Sequence, residues 1–332
     1  MHRCWICLLV LLTAASPLWA PAPPAPTITF VGDLMVAGKV GRLARQQGSQ
    51  CLLARVAPLL RADALTVGNL ECAVAAGGRR QDKRYTFRAR PDLLPGLRRA
   101  GLEAVSLANN HTLDYGTAGL LATLRHLQEA GLGAVGAGAN QAQAFRPLLV
   151  NAGGCRLALL AASRVLPTTR WRAGPRRPGL AQAYEPALLL AAIKAARPQA
   201  DLVAVYLHWG QEGALSPTAG QRRLARQCIE AGADLVVGCH PHVLQGFEYY
   251  RGKLVAYSLG NFLFSSTDRT SVLLQCTLQD GRLQARLVPC LLRSFRPRPL
   301  VQEAARRHLL AALEQRSFGV RISPEGSISP CP

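Results

Sequence analysis

The chain has 332 residues, enough for one large domain or two, and 49% of them are hydrophobic, ample for a core. Its formal net charge is +20, carried by 35 Arg against only 4 Lys, scattered along the chain with local clusters at 79–90, 164–177 and 293–307. No aromatic-interleaved module accompanies them, so the balance argues for non-specific attraction to acidic surfaces and against specific nucleic-acid binding.

In chain order, a positive MHR start, an apolar Cys4–Ala15 stretch and the Pro17–Ala20 end resemble a secretory signal peptide over residues 1–20. An exported, envelope or extracellular protein is expected, with an uncleaved N-terminal anchor as the alternative, since Leu18 is not an ideal residue before the cut. Residues 21–27 form a Pro-rich tether. No later stretch approaches 18 uninterrupted apolar residues, so the remainder is expected to be soluble. Ten cysteines show no CxxC spacing. Cys72, Cys155, Cys228, Cys239 and Cys276 lie in apolar runs and read as buried thiols, with one or two bridges left open.

From Ile28 onward, strand-like and helix-like segments alternate. Helices are predicted at 41–60, 91–100, 117–131, 186–197 and 217–231. Hairpins are predicted around Gly153-Gly154 and Asp280-Gly281. Residues 301–316 read as a terminal helix and 317–332 as a loose tail. The pattern predicts an α/β domain over 28–300, layered and built on mixed sheets.

Six apolar runs end in polar residues: ITFVGD (28–33), ALTVGNLE (64–71), AVSLANNH (104–111), LVAVYLHWGQE (202–212), DLVVGCHPH (234–242) and LVAYSLGNF (254–262). They read as buried strands, and ligands collect outside the carboxyl ends of strands in α/β sheets. Carboxylate, amide and imidazole are the donors a borderline-to-hard metal ion takes. Each residue also has a plainer reading. Asp33 fits a metal ligand or a turn cap equally well. Glu71 alone would be an ordinary surface carboxylate, unless a Gly68-Asn69 turn re-aims it inward. Asn109, Asn110 and His111 end a buried run and need partners, which could be metal and substrate or only the neighbouring loop. Asp114 could orient the His111 ring, or with Thr117 cap a helix from Ala118, or both.

His208 by itself would more often be a satisfied core histidine; its place opposite other polar strand ends favours a ligand, with Glu212 following it. His240-Pro241-His242 is the sharpest local signal. Residues i and i+2 of an extended segment share a side, and Pro241 biases His240 towards extended backbone. Asn261 could polarise a substrate oxygen, but a loop-holding role fits it slightly better. His126 and His308 read as ordinary helix residues.

VGDLM (31–35), GNLE (68–71), ANNHTLDYG (108–116), HWGQE (208–212), GADLVVGCHPHVLQG (232–246) and YSLGNFLF (257–264) together resemble the CapA family. These are poly-γ-glutamate capsule biosynthesis proteins, similar to the calcineurin-like metallophosphoesterases. The resemblance covers approximately residues 28–264. It implies a four-layer α/β/β/α sandwich around two divalent cations (Mn, Fe, Zn or Mg). Asp33 and His242 would hold one cation, Asn110, His208 and His240 the other, and Glu71 both. His111 would be the general acid with Asp114 behind it, and Asn109, Glu212 and Asn261 would serve substrate or ligands. Two departures stand out: Met35 replaces the histidine of the phosphoesterases' Asp-x-His, and Cys239 replaces the first histidine of GHHPH.

The implied function is metal-dependent hydrolysis or transfer on an envelope polymer or phosphoester. The alternative is a non-catalytic envelope component that binds an acidic polymer, such as poly-γ-glutamate, beside membrane-bound synthesis components.

Overall fold

The computed structural model describes residues 26–266, 269–279 and 281–331. The expected signal peptide and all but the end of the tether lie outside these. Four strands open the fold, β1 (Thr27–Leu34), β2 (Leu65–Leu70), β3 (Ala104–Ser106) and β4 (Gly133–Val135), each parallel to the next. The chain then folds back at Gly153-Gly154, both at positive φ, into the hairpin β5 (Leu148–Ala152) and β6 (Cys155–Ser163). Next come β7 (Leu202–His208), β8 (Leu235–Cys239), and the hairpin β9 (Phe247–Tyr250) and β10 (Lys253–Ala256). A short β11 (Asn261–Leu263) returns to β1. The long pair β12 (Arg269–Gln279) and β13 (Arg282–Arg293), β14 (Arg296–Pro299), β15 (Val320–Ile322) and β16 (Ser327–Pro330) complete the two large sheets.

Two large mixed sheets result. One runs β15-β16-β13-β12-β1-β2-β3-β4, with β11 beside β1 and β14 beside β13; the other runs β9-β10-β8-β7-β6-β5. Side chains alternate across a strand, and β7 separates its residues accordingly. Leu202, Ala204 and Tyr206 enter the core between the sheets with Phe30, Val67 and Leu274. Val203, Val205 and Leu207 face the other way, onto the helices Ala187–Ala196 and Ala219–Glu230 through Leu189, Ile193 and Leu224. Val31 and Leu34 likewise pack outward against Val40, Leu97 and Leu120 of the helices covering the first sheet. The architecture is therefore α/β/β/α, four layers around mixed sheets. Each fully buried Leu or Val contributes roughly 1.5–3 kcal/mol. The Tyr206 hydroxyl donates to the Val31 carbonyl, tying sheet to sheet.

The helix expected at 41–60 is two pieces. Gly38–Gln47 stops at Gly48, whose φ of 81° breaks the helical path, and Ala57–Ala62 restarts with a proline in its first turn. The Ala219–Glu230 helix starts two residues later than expected, because Thr218 and Gln221 form a reciprocal capping box. The described part of the expected loose tail at 317–332, residues 317–331, is ordered into the sheet. Val320, Ile322 and Ile328 join the core between the sheets beside Leu309, Leu310 and Leu313 of the helix Glu303–Gln315, and β15 and β16 extend the first sheet. Alternating small runs such as VRI and SIS carry too weak a pattern to be legible without the sheet they join.

Candidate metal centre

The polar cluster is assembled where β1, β2, β7 and β8 end. Asp33 donates its backbone N–H to Gly260 O at 2.9 Å. Gly32 makes that approach feasible, for a Cβ there would lie 1.9 Å from the same carbonyl oxygen. Asn69 sits opposite Asp33 in the parallel register and donates to its Oδ1 at 2.8 Å. Gly68-Asn69 is thus not the turn expected from the sequence; both lie within β2, and Glu71 turns inward just past the strand end. The sequence reading missed Asn69 as a site residue, although its place beside Glu71 in GNLE was visible.

His208 is the last residue of β7, fully buried, with Nε2 2.9 Å from Asn110 Oδ1 and 3.6 Å from Glu71 Oε1. His242 puts Nδ1 3.2 Å from Asp33 Oδ2 and 2.9 Å from Asn261 Oδ1, and Nε2 4.0 Å from the same Glu71 oxygen. His240 lies between them, its ring centroid 4.6 Å from that of His208 and 5.8 Å from that of His242. The route to this arrangement differs from the one expected. His240 and His242 are not extended; their φ angles are 97° and 58°. Non-glycine residues rarely adopt such backbone, at a cost of about 1–3 kcal/mol each, and it persists only where the surroundings impose it. Strain at functional sites is common, and here two adjacent ligand candidates carry it.

Asn110, Glu71, Asp33 and the three histidines therefore share one cluster. Glu71, His240 and His242 each offer a donor atom within 4.8 Å of the others, and Asp33, His208 and Cys239 do likewise. Both carboxylate oxygens of Glu71, and Nδ1 of His240, are buried with no hydrogen-bond partner. Burial, with the Asp33 carboxylate adding to it, holds the Glu71 carboxyl well above its ordinary range. Burial pushes His208 far down, and burial followed by the His242 charge brings His240 to about 4. Burial also works against the charged form of His242, but Glu71 and Asp33 overcome it and hold the ring up at about 10. A desolvated carboxyl group without a hydrogen-bond partner, beside His208 and His240, whose rings burial keeps from taking up protons, is a donor set a divalent cation satisfies.

The two departures have different consequences. Met35 is buried in the outer apolar core with Leu34 and Val36, so it presents no donor of the histidine type. Cys239 is fully buried, and its Sγ lies 3.3 Å from His208 Nδ1. It is therefore a neighbour of the cluster and not merely a filler of the core.

At the edge of the cluster, His111 Nδ1 is 2.7 Å from Asp114 Oδ2. The carboxylate can only accept, so Nδ1 carries the hydrogen and Nε2 is left uncommitted. Asp114 does not cap the following helix, Gly116–Glu129, which has no side-chain cap. It is instead consumed by His111, by the Phe87 N–H at 2.6 Å and by Lys83 Nζ at 2.7 Å. Lys83 also donates to the Asn110 carbonyl at 2.6 Å and lies 5.1 Å from the Trp171 ring centroid. The sequence reading did not single it out, because a lysine in an arginine-rich loop carries no local mark. Burial lowers the His111 proton affinity, Asp114 opposes that and Lys83 adds to it.

Asn109 is fully buried, reaching Asn69 Oδ1 at 3.1 Å and receiving the His111 N–H, so it holds the loop together. Glu212 is exposed, on a loop whose Gly213 N–H donates to the Pro241 carbonyl. His126 pairs with Glu129 on its helix. All eight cysteines among the described residues are free thiols.

A four-layer α/β/β/α sandwich with carboxylate, amide and imidazole donors gathered at its strand ends defines an α/β protein with a candidate metal centre. Residues 27–266 match the model of the bacterial capsule synthesis protein PGA_cap, and the chain belongs to that family. It is 33% identical over 285 residues to the capsule biosynthesis protein CapA of Bacillus anthracis, covering 82% of this chain and 69% of that one. It is 32% identical over 286 residues to the PGA biosynthesis protein CapA of Bacillus subtilis (strain 168), covering 84% and 75%. A probable polyglutamine synthesis accessory protein of Mycobacterium tuberculosis is 34% identical over 204 residues, covering 58% and 53%.

Proposed function

We propose that this chain is a metal-dependent hydrolase or transferase that acts on an envelope polymer or phosphoester during capsule-type synthesis. The observation that carries the reading is Glu71, a fully buried carboxylate whose two oxygens have no hydrogen-bond partner among the described residues and one of which both His208 and His242 approach. Asp33 and His242 would hold one cation, Asn110, His208 and His240 a second, and Glu71 would be shared. Cations bound there would supply charge stabilisation for a developing oxyanion and a nucleophile usable at neutral pH. His111, with Nδ1 committed to Asp114, exchanges a proton at Nε2 with the leaving group. Lys83 and Asn109 fix the loop that carries it, and Asn261 orients His242.

The substrate side is read from the relatives' names: an acidic polymer such as poly-γ-glutamate, handled beside membrane-bound synthesis components by an exported protein. No described helix is long and apolar enough to cross a membrane. A second reading is favoured by those same names, which speak of biosynthesis and accessory roles, and by Met35 in place of a ligand. In it, the chain binds the polymer without cleaving it.

The test is elemental analysis of the purified protein and of its Glu71→Gln variant, together with a panel of phosphodiesters and γ-glutamyl oligomers. Bound metal that Glu71→Gln loses, with turnover of a panel member that His111→Ala abolishes, supports the enzyme. Metal without turnover passes the case to the accessory reading. A chain that takes up no divalent cation under any condition sinks both metal-based assignments. N-terminal sequencing of the envelope fraction tests export, and an intact Met1 on a cytosolic protein would defeat it.

A further inference from the structure

An arginine-lined groove lies apart from the strand-end cluster, on the face where β13 and β14 meet the loop before the helix Ala57–Ala62. Two adjoining cavities of about 610 and 310 Å³ share Arg55, Arg293 and Arg298 in their walls, and Arg296 joins the smaller one. Arg55 stands far from the other three in the chain, and only the fold places it in the walls of the same cavities. No Asp or Glu lines either cavity. Among the described residues, Arg55 and Arg298 have no ion pair or side-chain hydrogen bond, and Arg296 donates only to the Gln47 side chain.

Another arginine cluster on this molecule shows what a structural network looks like instead. Arg222 and Arg226 line a depression with Tyr250, but both are spent on Glu248, and Glu230 accepts from the Tyr250 hydroxyl. Guanidinium groups without a counter-charge, as those of Arg55 and Arg298 are among the described residues, raise the potential of the groove they line, and an anion bound there relieves it.

We infer that this groove is a binding site for a polycarboxylate chain, separate from the metal centre. The planar guanidinium fork pairs with carboxylates through two parallel hydrogen bonds. Leu291, Leu300 and Val301 give the larger cavity an apolar wall that suits the methylene groups between carboxylates. The shape is concave, which accepts a chain and not a flat lipid surface. No aromatic side chain lines either cavity, so the base-stacking that single-stranded nucleic acids rely on is missing. The inference rests on the acidic-polymer side of the proposed function, and it adds a holding site, away from the reacting centre, that would keep a long chain engaged while its segments pass the cluster.

The experiment measures binding of an end-labelled poly-glutamate chain to the full protein by fluorescence anisotropy across a salt series. Arg55→Gln/Arg298→Gln should weaken binding by about tenfold or more and flatten the salt dependence, as two charge-assisted contacts are lost. Arg125→Gln/Arg223→Gln removes the same charge elsewhere and should change affinity by less than about twofold. Equal losses in the two double variants would overturn the site in favour of diffuse attraction, as would no loss in either. Single-stranded DNA or acidic vesicles captured as tightly, and weakened as much by Arg55→Gln/Arg298→Gln, would overturn the polycarboxylate assignment. Metal content is read on the same samples. Arg55→Gln/Arg298→Gln should leave it unchanged, whereas Glu71→Gln should alter metal and leave groove binding intact, so failure of the metal centre and failure of the groove give different results.

Discussion

Two buried carboxylates on this molecule are treated in opposite ways. Glu248, 3% exposed, receives the Tyr257 hydroxyl, Arg222 Nε at 3.2 Å and Arg226 Nη2 at 2.6 Å. Glu71, 0% exposed, receives nothing. The first is a closed network that pins the helix Ala219–Glu230 to β9 and β10, and its hydrogen bonds hold the Glu248 carboxyl below its ordinary range against the effect of burial. The second is left open, with His208 near it discouraged by burial from taking up a proton and His242 holding one through Glu71 and Asp33. Saturated charge marks structure; unsaturated buried charge marks a place built for something else to enter.

The largest effect that could break this contrast is loss of metal. His240→Ala or His242→Ala should bring the metal content measured by mass spectrometry close to zero, whereas Glu248→Gln should leave it intact. His111→Ala should keep the metal and reduce turnover of whichever panel substrate is cleaved by about 10²–10⁴-fold, the range of a general acid–base group. Gly32→Ala should damage the cluster through the backbone. Its methyl would collide with the Gly260 carbonyl, costing about 3 kcal/mol or more, and thermal unfolding would show it.

The pH dependence of the metal-stripped protein sharpens the comparison. His240, brought from 6.5 to about 4, contributes stability that is present above pH 6.5 and lost as pH falls through about 4. His242, raised from 6.5 to about 10, contributes stability that is full below pH 6.5 and lost as pH rises through about 10. The raised Glu71 contributes stability that is full below pH 4.5 and lost as pH rises through its folded value, so it offsets His240 between pH 4.5 and 6.5, where the lowered His208 adds to the rise. The cluster's contribution should therefore peak near pH 6.5, with flanks on the order of 2–4 kcal/mol. Denaturant titrations in chelator would read it, and a flat profile would show that the site does not hold its protons as described. The smallest effect is the most direct test of the contrast itself. In chelator, Glu71→Gln should stabilise by about 1 kcal/mol by removing a carboxylate that burial penalises, and Glu248→Gln should destabilise by about 2–3 kcal/mol by stranding two guanidinium groups.

Much of the fold was legible because β strands buried on both faces are continuous apolar runs, and these runs stop where the chain meets water or a site. The six polar strand ends, with Asp33, Glu71, Asn110, His208, His240 and His242, follow from that reading and from the family resemblance. What escaped it was three-dimensional in origin. The backbone of His240 and His242 is set by the tertiary contacts around Pro241 and Asn261, and local preference for extended structure lost to them. Lys83 matters only because its loop crosses over Asp114. Asn69 looked like a turn residue until the register of β1 and β2 placed it opposite Asp33.

The sequence by itself determined where the long buried strands lie, which positions are apolar, and which donors stand near the strand ends, because these follow from local pattern and side-chain chemistry. The tertiary structure alone decided that Glu71 is left without a partner while Glu248 is saturated, that Cys239 lies against His208, and that Arg55 and Arg298 line one groove. Each of those facts depends on the distance between groups far apart in the chain, and no local pattern of residues encodes that distance.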